Sequence, residues 1–373
     1  MGVSSFPASG GGAGGFYYNI TAAGTYTVNL AAGLYDVRSN DFVTVGGVAV
    51  DGNAGLLNYP SGVASLIAAT QYDLDDWTTR TSGFGTDYIY GVTYGDGLYV
   101  AVGNSGKLTT STNGTTWTTR TSGFGTDSIR GVTYGDGLYV AVGYSGKLTT
   151  STDGTTWTTR TSGFGTDSIR GVTYGDGLYV AVGDDGKLTT SPDGTTWTSR
   201  TSGFGTDNIW GVTYGDGLYV AVGDDGKLST STDGTTWTSR TSGFGSTRIY
   251  GVTYGDGLYV AVGLSGTLTT STDGTTWTTR TSGFGTAHIF GVTYGDGLYV
   301  AVGDDGKLTT SPDGTTWTTR TPGFGTANIY GVTYGDGLYV AVGASGTLTT
   351  NSALPVATAL SLEPKSPLIN LPA

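Results

Sequence analysis

The chain is dominated by an internal repeat of 40 residues. The segment GVTYGDGLYVAVG occurs seven times without change, beginning at residues 91, 131, 171, 211, 251, 291 and 331. Tryptophan recurs at the same interval, at Trp77, Trp117, Trp157, Trp197, Trp237, Trp277 and Trp317. Each unit contains four short β-branched and aromatic runs, which Asp-Gly or Asn-Gly turns connect as hairpins. A repeat of this size is typical of a propeller blade, so the sequence predicts an all-β, seven-bladed β-propeller.

The first complete unit gives the expected strand boundaries. We predict strand A at 89–94, strand B at 98–102, strand C at 107–111 and strand D at 115–121. Strand B reads Leu-Tyr-Val-Ala-Val and is apolar on both faces, so it must be covered from both sides. We expect neighbouring blades to supply that cover, with Phe84 of the Gly-Phe-Gly loop and its equivalents lying between them.

The order of the strands predicts that the ring is closed. The repeats begin with a lone D strand at 75–80 and end after strands A, B and C of the last unit. We expect this N-terminal strand to complete the last blade, which leaves no sheet edge exposed at the join. An open β array is the alternative, although such an array would not need this permuted order.

Two segments flank the predicted propeller, which occupies residues 73–352. Residues 1–72 contain a glycine-rich leader at 10–15 and then strand-like runs, which predicts a small β-rich domain for attachment or oligomerisation, with a homotrimer as one option. An accessory domain packed on the propeller is the alternative. Residues 353–373 contain four prolines and are predicted to form an extended tail.

Composition excludes several classes of partner. The formal net charge is −12 and the chain has no basic stripe, so we expect neither nucleic-acid binding nor attraction to anionic lipid. There are no cysteines, which excludes disulfides and thiolate metal sites. No apolar stretch is long enough for a membrane span, and the first residues lack the features of a Sec signal peptide. We therefore expect no membrane insertion. If the protein acts outside the cell, release of an assembled virus particle by cell lysis is one route by which it could leave.

The turn between strands C and D carries a family resemblance. Ser151-Thr-Asp153-Gly154-Thr-Thr-Trp157 resembles the Asp-box of BNR-type propellers, Ser-x-Asp-x-Gly-x-Thr-Trp. It is one residue shorter between Asp and Gly, and the first copy has Asn113 in place of Asp. The resemblance implies a structural role, in which Asp caps the turn and Trp packs on the sheet. The family includes sialidases, photosystem assembly factors, lectins and modules of phage fibres, and near-identical tandem units look most like phage and bacterial surface proteins.

Differences between the seven copies concentrate at three positions. These are position 88 with its equivalents (the rim column), position 90 with its equivalents (the mouth column) and position 104 with its equivalents (the loop column), each recurring every 40 residues. A fourth position, 105 and its equivalents, is always Ser or Asp. The columns fall in the D–A connection, the start of strand A and the B–C loop, which emerge together on one face of a propeller (the variable face).

We interpret the variable face as a surface tuned to a ligand. The alternative is that its loops drift freely while Asp-Gly geometry fixes the turns of the opposite face. Tyr, Trp and Arg are frequent anchors at interfaces, and flat aromatic rings stack on the C–H faces of sugars. The predicted ligand-binding residues are Tyr88, Tyr90, Arg130, Arg170, Trp210, Arg248, Tyr250, His288, Phe290, Tyr330, Asn104, Tyr144, Asp184, Asp224 and Asp304.

The sequence does not favour an enzyme. Glu363 is the only glutamate and lies in the predicted tail, and His288 is the only histidine, so neither a sialidase site nor a catalytic triad is expected. An unusual glycoside hydrolase is the less favoured alternative. Its two carboxylates would come from Asp184, Asp185, Asp224 and Asp225, because adjacent blades bring these loops close together. The two adjacent pairs of aspartates lack the spacing of a calcium loop. We therefore predict no catalytic residue, no metal and no cofactor.

The combined features suggest an adhesive role. We interpret the chain as a structural component of a phage particle, a tail or head fibre at the virion surface. The variable face would bind a host surface glycan or receptor, and residues 1–72 would contact other virion proteins. The alternative is a secreted or cell-surface bacterial lectin-like propeller.

Overall fold

The computed structural model describes residues 77–351 in full. Outside this range it describes Ser352 and the backbone of nine strands: Ser4–Pro7, Phe16–Ile20, Gly24–Leu30, Gly33–Ser39, Phe42–Val45, Val48–Asp51, Gly55–Tyr59, Gly62–Ala68 and Thr358–Lys365. The chain divides into two compact units, residues 1–73 with 353–373 and residues 74–352. The leader at 10–15, residues 75–76 and residues 353–357 and 366–373 lie outside the described residues.

The nine strands described for the first unit form two antiparallel sheets. Thr358–Lys365 pairs on one side with Phe16–Ile20 and on the other with Gly33–Ser39, so residues that we assigned to an extended tail contribute an inner strand. Phe42–Val45 and Val48–Asp51 are two strands that pair as a hairpin. In the sequence, two glycines separate these strands, and glycine pairs favour tight hairpin turns.

The second unit is a seven-bladed β-propeller, as predicted, with four antiparallel strands in each blade. Strand A spans Ile89–Gly95, Ile129–Gly135, Ile169–Gly175, Ile209–Gly215, Ile249–Gly255, Ile289–Gly295 and Ile329–Gly335 in blades 1 to 7. Strand B spans Leu98–Gly103, Leu138–Gly143, Leu178–Gly183, Leu218–Gly223, Leu258–Gly263, Leu298–Gly303 and Leu338–Gly343. Strand C spans Lys107–Ser111, Lys147–Ser151, Lys187–Ser191, Lys227–Ser231, Thr267–Ser271, Leu308–Ser311 and Leu348–Ser352. Strand D spans Thr118–Thr121, Thr158–Thr161, Thr198–Thr201, Thr238–Thr241, Thr278–Thr281 and Thr318–Arg320 in blades 1 to 6 and Thr78–Arg80 in blade 7.

A short 3-10 turn connects strands B and C in every blade. These turns span Asn104–Gly106, Tyr144–Gly146, Asp184–Gly186, Asp224–Gly226, Leu264–Gly266, Asp304–Gly306 and Ala344–Gly346. In the part of the chain that the structure describes, no helix is long and apolar enough to cross a bilayer.

The N-terminal strand closes the ring, which confirms the prediction. Thr78–Arg80 pairs antiparallel with strand C of blade 7, with Arg80 opposite Leu348. The Arg80 Nε donates to Thr350 Oγ1 at 2.9 Å, and Ser82 Oγ donates to the carbonyl of Gly346 at 2.7 Å. Blade 7 therefore receives its outermost strand from a segment about 270 residues away in the sequence.

The core consists of apolar layers between blades. Val100 and Val102 of blade 1 pack against Phe124 of the following unit, whereas Tyr99 and Ala101 pack against blade 7. All of these side chains are almost fully buried. Alternate residues of strand B thus face opposite neighbours, which explains why the strand is apolar on both faces and confirms the position expected for Phe84 and its equivalents.

Side-chain hydrogen bonds build the turn between strands C and D. The Asp153 Oδ1 accepts from the amides of Thr155 and Thr156, both at 2.8 Å, and Trp157 Nε1 donates to the Gly154 carbonyl at 3.0 Å. The hydrogen bonds from the Thr155 side chain and from these amides hold the pKa of the Asp153 carboxyl well below its usual range. Because these residues belong to the turn, strand D begins three residues later than predicted, at Thr118 in blade 1.

Candidate functional site

A β-bulge at the start of strand A presents the mouth column. Ile89 lies opposite Gly103 and Gly91 lies opposite Val102, so Tyr90 is an extra residue without a partner in the ladder. Bulges re-aim side chains in this way. Gly103 makes the arrangement possible, because a Cβ atom there would lie 2.0 Å from the carbonyl oxygen of Tyr88. All seven blades repeat this bulge.

The seven bulges surround one cavity of about 420 Å³. Every residue of the mouth column lines it, together with two residues of the rim column. The lining residues are Tyr88, Tyr90, Arg130, Arg170, Trp210, Arg248, Tyr250, Phe290 and Tyr330. The structure therefore brings nine of the fifteen predicted residues together around a volume typical of a small-molecule site.

One part of the wall is a continuous series of aromatic rings, which we call the aromatic arc: Trp210, Tyr250, Phe290, Tyr330 and Tyr90. Ring centroids are separated by 5.5 Å, 5.3 Å, 5.4 Å and 5.7 Å in that order around the ring. These spacings are typical of edge-to-face and tilted aromatic contacts. The arc presents a rigid apolar surface to the cavity.

The remaining part of the wall is cationic. The guanidinium of Arg130 lies 4.0 Å from the ring centroid of Tyr90, and that of Arg170 lies 3.8 Å from the ring of Trp210. The guanidinium of Arg248 lies 4.6 Å from the ring centroid of Trp210 and 5.6 Å from that of Tyr250. Cation–π contacts therefore join the arginines to both ends of the aromatic arc. The cavity is amphipathic, because the mouth column supplies both the aromatic arc and the arginines Arg130 and Arg170, and the rim column adds Arg248.

The loop column supports this wall rather than lining it. A backbone hydrogen bond connects it to the rim column, since the amide of Asn104 donates to the Tyr88 carbonyl at 2.9 Å. Equivalent bonds of 2.9–3.0 Å occur in the other six blades. The side chain of Asn104 accepts from the Tyr90 hydroxyl at 2.8 Å. Residues of the loop column thus lie directly behind the mouth column of the same blade.

Two aspartates of this column neutralise two of the arginines. Asp184 forms an ion pair with Arg170, and Asp224 forms one with Arg248. Asp224 also accepts a hydrogen bond from Trp210 Nε1 at 2.8 Å. These carboxylates fix the orientation of the arginine and tryptophan side chains that face the cavity.

Arg130 differs from the other two arginines. Its hydrogen-bond partner in the loop column is the hydroxyl of Tyr144, whose ring lies 4.4 Å from the guanidinium. Its Nε is buried and has no hydrogen-bond partner within residues 77–351. Burial lowers the pKa of Arg130, Tyr90 opposes that effect, and the neighbouring Arg170 adds to it.

His288 and Asp304 lie at the rim of the variable face and do not line the cavity. The His288 Nδ1 accepts from the amide of Ser265 at 3.1 Å, and its Nε2 lies 4.0 Å from Asp304 Oδ2. The amide of His288 donates to the same carboxylate at 3.1 Å. The ring of His288 lies 6.2 Å from that of Phe290, so it flanks the aromatic arc from outside.

Sequence reasoning omitted two supporting residues. Asn208 Nδ2 donates to Asp224 Oδ2 at 3.0 Å, and Ser128 Oγ donates to Asn104 Oδ1 at 2.9 Å. Both residues belong to the rim column. Variation at this column was therefore the sequence feature that could have indicated their role. The position after the loop column is always Ser or Asp, and the backbone conformation explains this restriction. The residue adopts positive φ, 56° at Ser105 and 54° at Asp185.

The lining of the cavity contains no His, Asp or Glu side chain. Within the described residues, no three His, Asp or Glu side chains gather closely enough to hold a metal ion. The nine lining residues are aromatic or arginine. Sequence reasoning considered Asp184, Asp185, Asp224 and Asp225 as possible glycosidase carboxylates, and two of them, Asp184 and Asp224, form ion pairs with Arg170 and Arg248.

Comparisons with known proteins identify similar folds among solved structures. No protein-family model matches the chain, and no curated relative does. Among solved structures, YCF48 bound to D1 peptide is 18% identical with a TM-score of 0.62, covering 76% of this chain and 96% of that chain. The virginiamycin B lyase of Staphylococcus aureus is 12% identical with a TM-score of 0.68, over 74% and 99%. The WD40 propeller domain of Doa1 is 13% identical with a TM-score of 0.60, over 76% and 97%.

These likenesses establish the fold alone. The similar proteins include a lyase as well as YCF48 and a WD40 domain, so a propeller of this shape is compatible with several kinds of function. What distinguishes this chain is the set of residues that its seven blades place around the cavity.

Proposed function

We propose that this propeller is a ligand-binding module and not an enzyme, with the cavity on the variable face as its binding site. One observation carries the proposal. Seven copies share an unchanged segment of thirteen residues, yet the position before that segment varies, and all seven of its residues line a single cavity. The position immediately before this variable position is isoleucine in all seven units, so the variation is confined to the one position of this stretch whose side chains line the cavity.

The chemistry of the wall favours a host surface glycan or receptor as the ligand. Aromatic rings stack on the apolar faces of sugars, and the arginine and tyrosine side chains offer hydrogen bonds to hydroxyl groups. Tyrosine, tryptophan and arginine are also the residues most often found as energetic anchors at interfaces. Tyr88, with 41% of its surface exposed, extends this aromatic surface from the cavity to the rim.

The lack of His, Asp and Glu side chains at the wall supports the non-enzymatic reading. None of the nine lining residues is His, Asp or Glu, which are the commonest general acids and bases. The S. aureus lyase has a histidine-to-alanine variant described as catalytically inactive, whereas His288 of this chain does not line the cavity. Incubation with glycan substrates followed by product analysis tests this point, and any hydrolysis would contradict it.

The biological setting is part of the same proposal. The Asp-box-like turns and the near-identical repeats suggest an adhesive component of a phage particle, a tail or head fibre at the virion surface. The first unit, residues 1–73 with 353–373, would attach the propeller to other virion proteins and could trimerise it. Several copies would then convert weak single contacts into firm attachment. Capsid genes beside this gene would favour the phage setting over a secreted bacterial lectin.

Binding of the full chain to a glycan array and to candidate host cells tests the proposed site. Trp210→Ala removes a side chain that contacts Arg170, Arg248 and Tyr250. Loss of such an anchor typically costs about 2 kcal/mol, so we expect affinity to fall by about thirtyfold.

The control for this experiment is Asp233→Asn on the opposite face. It reproduces the turn of blade 1, where Asn113 Oδ1 accepts from the amides of Thr115 and Thr116 at 2.9 Å and 3.0 Å. We expect this variant to bind as the parent does. Equal loss of binding in both variants, with circular dichroism showing intact folding, would contradict the assignment of the binding face.

A further inference from the structure

We propose that the cavity selects acidic saccharides, with a carboxylate of the ligand pairing with Arg130 while the sugar ring lies against the aromatic arc. This inference rests on the proposed function and names the class of ligand that the site takes. It follows from an imbalance of charge within the wall, from the fixed position of Arg130 and from a comparison of two neighbouring blades.

The imbalance of charge is local. Three arginines line the cavity, and two of them are paired with carboxylates, Arg170 with Asp184 and Arg248 with Asp224. Among the described residues no carboxylate forms an ion pair with Arg130, and Asp184, which is paired with Arg170, only partly offsets the effect of burial on the pKa of Arg130. The protein as a whole carries a net charge of −12, so a general attraction for anions is not expected. Anion selectivity therefore depends on this one arginine.

The position of Arg130 is set before any ligand arrives. Its guanidinium lies between the rings of Tyr90 and Tyr144, at 4.0 Å and 4.4 Å, and it donates to the Tyr144 hydroxyl. A guanidinium held in one plane matches the geometry of a carboxylate, which accepts two parallel N–H bonds. Burying a charge without a counter-ion is costly, so a carboxylate from the ligand relieves that cost at this position.

The rest of the wall indicates a saccharide rather than a small inorganic anion. Five aromatic rings in contact with one another form a continuous apolar part of the wall, and arginines contact both ends of this arc. A bare phosphate or sulfate would leave this surface unused, whereas a sugar acid has both an apolar ring face and a carboxylate. A cavity of about 420 Å³ is adequate for one sugar residue with its substituents.

Blades 2 and 3 provide an internal comparison. Both have serine in the rim column and arginine in the mouth column, as Ser128 with Arg130 and Ser168 with Arg170. They differ in the loop column, where blade 2 has Tyr144 and blade 3 has Asp184. Blade 3 thus neutralises its own arginine, and blade 2 leaves its arginine for a ligand. Placing Asp at position 144 or Tyr at position 184 changes the charge of the site. Each of these side chains already occurs at the equivalent position of the neighbouring blade.

The test measures binding of matched acidic and neutral sugars to the full chain by isothermal titration calorimetry. The probes are trigalacturonate with its methyl ester, sialyllactose with lactose, and an acidic aromatic peptide, Asp-Phe-Asp. We expect at least one acidic sugar to bind at least about tenfold more tightly than its neutral counterpart, because one charge-assisted contact of this kind contributes about that factor.

Two exchange variants give the deciding result. Tyr144→Asp supplies an internal carboxylate to Arg130 and should remove the preference for the acidic sugar. Asp184→Tyr releases Arg170 and should strengthen binding of the acidic sugar several-fold. Thermal unfolding measured for both variants confirms that the ring remains folded.

The other outcomes are distinct. Equal binding of acidic and neutral sugars, or an acid preference unchanged in Tyr144→Asp, would overturn this inference while leaving the proposed binding site in place. Binding of the acidic peptide without any sugar would overturn the assignment to saccharides. If no sugar binds and Trp210→Ala also leaves attachment to host cells unchanged, the proposed function fails together with this inference.

Discussion

At the scale of single residues, the repeat provides internal controls for the contribution of individual atoms. One position in strand C has a buried hydroxyl without a hydrogen-bond partner in six blades. These residues are Thr109, Thr149, Thr189, Thr269, Thr309 and Thr349. In blade 4 the equivalent residue is Ser229, whose hydroxyl donates to the carbonyl of Ser202 at 3.0 Å. The threonine hydroxyls are therefore a cost to stability that the sequence pattern does not reveal.

Replacement of one of these threonines should stabilise the propeller. Thr149→Val keeps the β-branched shape and removes a buried hydroxyl without a partner, so we expect the free energy of unfolding to rise by about 1 kcal/mol. Denaturant titration measures the change. The control is Thr150→Val at the next position, where the hydroxyl accepts from Arg160 Nε at 3.0 Å. This variant should be destabilised, and a gain in both variants would contradict the explanation.

At the scale of elements, the sequence predicted the hairpins but not the bulge that builds the site. Strands A, B and C follow from alternating apolar runs and Asp-Gly turns, and Asp96 and Gly97 have the positive φ angles, 46° and 74°, that such turns require. The bulge at Tyr90 arises from the close approach of two backbone segments, which no periodicity shows. The glycines at 91 and 103 were its only signal in the sequence, because glycine inside a strand often marks a bulge.

The bulge depends on the absence of a side chain at one position in each blade. In Gly143→Ala the new Cβ would lie 2.1 Å from the Ser128 carbonyl oxygen, so the D–A connection behind Arg130 must move. We expect a loss of about 3 kcal/mol in the free energy of unfolding, together with weaker ligand binding. Denaturant titration and calorimetry measure the two effects.

Gly125→Ala is the control for this prediction. Gly125 has φ of 62° and nothing within 4 Å of a built Cβ, so its substitution costs only the conformational strain, about 1 kcal/mol. It should also leave ligand binding unchanged. Similar losses in both variants would show that the clash at the bulge is not what matters.

A second element-scale feature accounts for variation outside the three columns. Lys107, Lys147, Lys187 and Lys227 form ion pairs with Asp87, Asp127, Asp167 and Asp207 of the same units. In two units both partners are absent, since Thr267 stands opposite Thr247 and Thr347 opposite Ala327. Such exposed pairs contribute little to stability, about 0 to 1 kcal/mol each. In a third unit Ala287 replaces the aspartate and Lys307 is kept. Because each pair contributes so little, the loss of one or both partners needs no ligand to explain it.

At the scale of the whole molecule, hydrogen bonds between blades bind the ring together. The hydroxyl of a buried strand B tyrosine donates to the carbonyl at the end of strand A in the preceding blade, as from Tyr179 to Gly135. The same bond from Tyr99 to Gly335 crosses the closure. Burial raises the pKa of six of these phenols well above the ordinary value of 10: Tyr99, Tyr139, Tyr179, Tyr219, Tyr259 and Tyr299.

These tyrosines predict alkaline unfolding. In the unfolded chain a phenol ionises near pH 10, whereas in the folded protein it stays protonated, so stability is fully present below about pH 10 and is lost as pH rises above it. Several equivalent groups make the loss steep. Denaturant midpoints between pH 8 and pH 11.5 measure it. A constant midpoint above pH 10 would contradict the prediction.

One substitution isolates the contribution of a single phenol. Tyr179→Phe should reduce the steepness of the alkaline loss and lower stability at neutral pH by about 1 to 3 kcal/mol, since it leaves the buried Gly135 carbonyl without its partner. Tyr88→Phe, at an exposed side chain, is the control and should change neither quantity.

Closure of the ring can be tested by the position of an N-terminal truncation. A fragment of residues 74–352 keeps Thr78–Arg80 and corresponds to the second compact unit, so we expect it to fold and unfold cooperatively. A fragment of residues 82–352 lacks the strand that pairs with Leu348–Ser352, which leaves the edge of blade 7 unpaired. Exposed edges template association, so this fragment should aggregate or unfold at a lower temperature. Size-exclusion chromatography and thermal unfolding of the two fragments measure the difference. Identical behaviour would mean that residues 74–81 do not hold the ring closed.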